Sequence, residues 1–155
     1  MKPKILIVKA DYYRSIASGL QAAAEVTLDM ESISKVKYKI IDVPGVFEIP
    51  VIIAKNINKY DGFVALGCVI KGETPHFDYI SKTTIDAIMN LSVEHKKPIG
   101  NGIITCLNRV QATERSDNGE RKNLSKKNKG KESANAVLSV LGILKNESKW
   151  SSSKS

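Results

Sequence analysis

The chain has only two cysteines, two histidines and one tryptophan among its 155 residues. Cys68 and Cys106 both lie inside apolar runs, where a thiol behaves as a small buried hydrophobe, so neither a disulfide framework nor a metal motif is expected. Aromatic residues amount to 6%, which leaves Ile, Val, Leu and Ala to build the core, the composition of a sheet covered by helices. No apolar run approaches the ~18 residues of a membrane span. The apolar part of the opening MKPKILIVKADYY is too short for a signal peptide, so no membrane partner and a cytoplasmic location are expected. Acidic residues are scarce too, 16 against 24 Lys and Arg, for a net charge of +8. Such an excess suits polyanions, anionic lipid surfaces or phosphorylated small molecules. Much of it is local, since Arg115 to Lys131 holds seven basic residues and two acidic ones. That segment has no aromatic residue to stack on a base and no RNP-like signature, which argues against an RNA-binding module. No nucleic-acid partner is expected.

What is present alternates. KILIV (4–8) is a short run of strand type, and SIASGLQAAAEV (15–26) has helical spacing with Ile16, Leu20, Ala23 and Ala24 on one face. Residues 36–43 read as a second strand ending at the Pro44-Gly45 turn, and 48–57 as a helix with Ile49, Ile52, Ile53 and Ile57 inward. GFVALGCVI (62–70) is the nearly unbroken apolar run of a central parallel strand. Thr74 and Pro75 supply an N-cap and an N1 proline for a helix to about Glu94, closed by His95, Lys96 and Lys97; Pro98 then opens a fourth strand through Cys106. Residues 108–115 look helical, 116–128 read as a charged loop, and 130–144 as a last amphipathic helix. Residues 1–145 thus read as a single domain, with 146–155 a disordered polar tail. Four strand runs separated by helices, without a hairpin signal, imply an α/β fold on a parallel sheet.

In such folds ligands bind beyond the carboxyl ends of the strands. Three loops lie there: Asp11 to Tyr13, Pro44 to Glu48, and Lys71 to His76. Gly72 to Thr74 turns into a helix N-terminus whose free N–H groups suit a phosphate, although the residues alone read first as an ordinary helix cap. His76 stands beside that corner, and imidazole is the side chain that exchanges protons near neutral pH. His95, between a helix end and two lysines, reads as structural. The Glu48 carboxylate can accept hydrogen bonds from ligand hydroxyls or complement its own helix. Tyr12 and Tyr13 offer ring faces to a heterocycle, or are simply half-buried loop aromatics.

VPGVFEIP (43–50), ALGCVIKGETPHFDYI (65–80), PIGNGIIT (98–105) and QATER with NKGKESA (111–115, 128–134) together resemble the lumazine synthase family, in consistent order from about Lys4 to about Leu144. The resemblance implies a flavodoxin-like three-layer sandwich around a four-stranded parallel sheet. It implies condensation of 5-amino-6-(D-ribitylamino)uracil with 3,4-dihydroxy-2-butanone 4-phosphate to 6,7-dimethyl-8-ribityllumazine in riboflavin biosynthesis. Phosphate and water are released, and no cofactor or metal is needed. Tyr12 stands where the family stacks an aromatic on the pyrimidine, and Val46, Phe47 and Glu48 on its ribityl side. Cys68, Val69 and Ile70 would contact the pyrimidine, with Glu73 and Thr74 at the phosphate. His76 matches the proton-transfer histidine, Arg115 the phosphate-binding arginine, and Lys129 a basic residue of the same pocket.

Two departures stand out. Asn101 occupies a position that is often phenylalanine, and the 116–128 linker is longer and more basic than is usual. The resemblance further implies a homo-oligomer, a pentameric ring with sites shared between neighbours. The basic linker and the short stretch before the first strand lead us to expect the ring alone and no closed shell. A flavin-binding or storage protein of the same fold is the alternative, but it would have no use for a proton shuttle at His76.

Overall fold

The computed structural model describes residues 2–31, 36–117 and 127–154. Most of the basic linker therefore lies outside the described residues. Four parallel strands form one sheet: β1 (Lys4–Ala10), β2 (Lys37–Val43), β3 (Gly62–Ile70) and β4 (Ile99–Cys106), in the order β2-β1-β3-β4. The helices are α1 (Arg14–Glu31), α2 (Ile49–Asn56), α3 (His76–His95), α4 (Arg109–Ser116) and α5 (Lys129–Lys154), and a 3-10 turn at Val46–Glu48 leads into α2. None of the described helices is long and apolar enough to cross a membrane.

Alternation along the strands sorts the core into two layers. Ile5, Ile7, Val64, Leu66, Cys68, Ile104 and Cys106 meet Ile16, Leu20, Ala24 and Leu28 of α1, Ala112 of α4, and Ala134 and Val137 of α5. On the other face Leu6, Val8, Ala10, Phe63, Ala65 and Ile103 meet Ile49, Ile53 and Ile57 from the α2 region and Ile88 of α3. β1 and β3 are covered on both sides, so both are predominantly apolar, whereas β2 at the sheet edge keeps only Val43 buried. Lys9 is the exception inside β1. Its ammonium is buried and reaches Gln21 Oε1 at 2.6 Å, Asp42 at 3.4 Å and Asp11 at 3.8 Å, a set of partners that meets the cost of taking a charge out of water.

Three expectations need correcting. Pro75, not Thr74, holds the cap position of α3, although the Thr74 hydroxyl still accepts from the His76 N–H at 3.4 Å. Lys96 ends α3 in the left-handed region (φ 54°), but the Lys97 ammonium turns away to the carbonyls of Ile57 and Tyr60, at 2.6 and 2.9 Å, and so finishes α2 instead. The disordered tail expected at 146–155 is helical through Lys154 as the last part of α5. No proline follows Gly142, and the Glu, Lys and Ser residues there do not interrupt an exposed helix once its inner half is packed.

α5 lies close on β4 because that strand presents glycines to it. A Cβ on Gly100 would stand 2.3 Å from the Ser133 carbonyl oxygen, and one on Gly102 would stand 2.7 Å from the Ser133 hydroxyl. Gly100→Ala is therefore expected to push α5 outward and destabilise the fold by about 1–3 kcal/mol. Urea unfolding checks this, and an unchanged midpoint would contradict the close packing.

Candidate active site

The strand order reverses direction between β1 and β3: from β1 the chain goes outward to β2, from β3 outward to β4. Loops leaving the carboxyl ends on either side of that point separate and leave a crevice. A cavity of about 250 Å³ lies there, lined by Tyr12, Tyr13, Gly45, Val46, Phe47, Cys68, Val69, Ile70, His76 and Ile80.

Each wall has a local cause. The Asp11 N–H donates to the Val43 carbonyl at 2.9 Å, which ties the β1–α1 loop to the end of β2 and holds Tyr12 and Tyr13 at the rim. Tyr12 is 75% exposed and forms a T-shaped pair with Tyr13, 4.9 Å between centroids and 81° between planes. Val46 is buried against β3 because Gly67 has no side chain; a Cβ on Gly67 would stand 2.6 Å from Val46 Cγ1. That seat leaves the next residue, Phe47, facing outward at 58% exposure. Glu48 follows, and its Oε1 folds back to 3.3 Å from where a Cβ on Gly45 would be. His76 opens α3 as an exposed residue facing the crevice, and Ile80, one helical turn later, forms the wall beneath it.

The floor is formed by the end of β3. Cys68 is buried, and its thiol is pushed up to about 12 by burial first and then by neighbouring Cys106, with the Arg109 guanidinium pulling weakly the other way. Cys106 is raised as well, again mainly by burial, against the lowering influence of its hydrogen bond with Cys68 and of nearby Arg115. Arg115, in the last turn of α4, is near enough to Cys106 to act on its thiol; it is half-buried, with Nη1 donating to the Gln111 carbonyl at 3.2 Å.

The crevice thus gathers Tyr12, Val46, Phe47, Cys68, Val69, Ile70 and His76 from the sequence expectations. Glu48 borders it through Gly45, and Glu73 and Thr74 are exposed on the loop next to His76. Nothing lies within 4 Å of a Cβ on Gly72, so that corner is open. Glu48, Glu73 and Thr74 thus stand at its border, and Asn101, Arg115 and Lys129 do not line the cavity. Asn101 pairs with Ala65 midway along β4, is exposed, and accepts from the Ile103 N–H at 3.1 Å. Lys129 opens α5 and pairs with Glu132 at 3.1 Å. Gly45 and Ile80 were missed, although Gly45 lies within the quoted VPGVFEIP and Ile80 follows His76 at helical spacing. Asn128 was also missed. It is 1% exposed, its amide donates to the Gly19 and Asp117 carbonyls, and its Oδ1 accepts from the N–H groups of Gly130 and Lys131, which caps α5.

A profile of the family described as 6,7-dimethyl-8-ribityllumazine synthase matches residues 2–145. Among relatives bearing that name, the protein of Bartonella bacilliformis is 42% identical over 150 residues, covering 94% of this chain and 92% of its own. That of Agrobacterium fabrum is 40% identical over 151 residues, covering 93% and 96%. That of Methylocella silvestris is 43% identical over 119 residues, covering 72% and 71%.

The two thiols carry a prediction in pH. With its folded pKa raised from 9.0 to about 12, Cys68 holds its proton in the native state over a range where the unfolded thiol has lost it. The contribution is neutral below about 9, and it lowers stability as pH rises from there to about 12. Cys68→Ala should flatten that slope in chemical unfolding, and a disulfide reagent at pH 8 should label the native thiols far more slowly than the unfolded ones. Equal labelling rates would contradict the burial.

Proposed function

The chain belongs to the 6,7-dimethyl-8-ribityllumazine synthase family, and we propose that the crevice between β1 and β3 is where it condenses its two substrates. As a family member it is a transferase of riboflavin biosynthesis that carries out the lumazine-forming condensation. The reading of individual residues rests above all on one observation: Tyr12, Val46, Phe47, Cys68, Val69, Ile70 and His76, drawn from three separate loops and strand ends, line a single cavity.

In this reading the pyrimidine of 5-amino-6-(D-ribitylamino)uracil stacks on Tyr12 above Val69 and Ile70. Its ribityl chain runs past Val46 and Phe47 to the Glu48 carboxylate, which accepts hydrogen bonds from the hydroxyls. The phosphate of 3,4-dihydroxy-2-butanone 4-phosphate sits at Gly72 to Thr74, opposite Arg115. The pyrimidine 5-amino group attacks the ketone, and water leaves to give an imine. Loss of a proton and departure of inorganic phosphate produce a conjugated carbonyl, and attack by the ribityl-bearing nitrogen with loss of a second water closes the ring. His76 moves protons in these steps, and holding two substrates together is itself worth roughly 7–11 kcal/mol.

At about 250 Å³ the crevice is small for two substrates, since ligand pockets usually span ~300–1,000 Å³. Asn101, Arg115 and Lys129 also stand apart from the lining. Both points support a site completed by a neighbouring copy of the chain in a pentameric ring, with Asn101, Arg115 and Lys129 supplied across the interface.

His76→Ala should slow turnover by about 10²–10⁴ while leaving pyrimidine affinity nearly intact. Wild-type kcat in that variant would remove the proton-transfer role, and absence of lumazine fluorescence when the wild-type protein meets both substrates would remove the reading as a whole. Arg115→Ala should raise the KM for the butanone phosphate far more than that for the pyrimidine, because a charge-assisted contact to a dianion is lost. Equal losses would point to damage of the fold instead.

A further inference from the structure

Arg109 is out of place by helix rules. It is the first residue of α4, where the helix dipole is positive and an acidic side chain is favoured, yet no acidic residue stands in that turn. A cation that opposes the dipole of its own helix is held there by something else. Two contacts do so: Nη2 donates to the Ser15 hydroxyl at 3.3 Å, and the guanidinium carbon lies 5.8 Å from the centre of the Tyr13 ring. Tyr13 closes the loop after β1 and Ser15 lies in the first turn of α1, so Arg109 ties the start of α4 to that corner, with Ser15 94 residues away in sequence.

Tyr13 then passes the contact on. The Tyr13 and Tyr12 rings meet in a T-shaped pair with centroids 4.9 Å apart, and Tyr12 is 75% exposed at the rim of the crevice. Among the described residues this is the aromatic contact that holds Tyr12. Resting on the reading of Tyr12 as the stacking residue, we propose that Arg109 is a positioning residue for the pyrimidine subsite: it fixes the Tyr13 ring, and Tyr13 fixes the face that Tyr12 presents to the heterocycle. It touches neither substrate, and the butanone phosphate is bound elsewhere in the crevice, so its influence falls on one substrate only.

The experiment compares wild type with Arg109→Ala, Arg109→Lys, Tyr13→Leu and the Arg109→Ala/Tyr13→Leu double variant. Affinity is read by titration with an unreactive ribitylaminouracil carrying a nitro group in place of the 5-amino group, alongside the KM for each substrate. Arg109→Ala should weaken the uracil ligand about threefold to tenfold, the scale of a partly solvated cation–π contact, and leave the butanone phosphate KM within about twofold. Arg109→Lys, which keeps the cation and loses the planar fork, should recover part of the loss. The double variant should be no weaker than Tyr13→Leu alone, because both changes break one chain of contacts. Unchanged uracil affinity in Arg109→Ala, an equal rise in both KM values, or additive losses in the double variant would each overturn the proposal. A wild-type protein that does not bind the uracil ligand would instead overturn the assignment of the subsite, so the two failures are told apart.

Discussion

The crevice depends on β1 hydrogen-bonding to two parallel neighbours at once. With β2 on one side and β3 on the other, the connections from β1 and β3 leave in opposite directions, and a gap at the carboxyl ends follows from topology alone. Burial on both faces enforces this placement, because a strand as apolar as ILIV is poorly accommodated at an edge. The Asp11 N–H to Val43 carbonyl bond extends the same ladder past the end of the strand and carries it into the loop that bears the tyrosines.

Around that sheet, small residues decide how closely the layers approach. Gly100 and Gly102 let α5 lie against β4, Gly67 seats Val46, and a Cβ on Gly130 would stand 2.0 Å from the Leu20 carbonyl oxygen of α1. Gly67, Gly100, Gly102 and Gly130, within the ALGCVIKGETPHFDYI, PIGNGIIT and NKGKESA segments, are therefore packing devices. The contacts that seat a loop also aim its neighbouring side chains into the crevice: Val46 turned inward leaves Phe47 outward, and Cys68 turned toward α1 leaves Val69 toward the opposite layer.

Much of this was legible in the residues. The unbroken apolar run at 62–70 marked the central strand, helical spacing at 15–26 marked α1, and the positions of the loops at strand ends brought Tyr12, Val46, Phe47 and His76 to one place. What escaped was the direction of long polar side chains. Lys97 follows α3 in sequence but serves α2, and the buried amide of Asn128 satisfies backbone groups from residues 19 to 131, a pairing that no local pattern encodes. Arg109 escaped for the same reason, since its partners lie at the far end of the chain. The helical course of 146–154 escaped because composition describes solvation and not whether a packed helix lies immediately before.

An all-parallel sheet also has a kinetic signature. No strand here can pair with the next through a tight turn, so β1 acquires its first partner only when β2 has crossed over, and its second only when β3 has been made. During synthesis from the N-terminus, the two most apolar strands are exposed to one another late, with α2 and the end of β2 already emerged between them. β4 comes later still, and α5, which covers it, comes last. The growing chain therefore carries an uncovered apolar sheet face until α5 docks, and it is at that stage, before the crevice is complete, that a nascent copy is most exposed to aggregation.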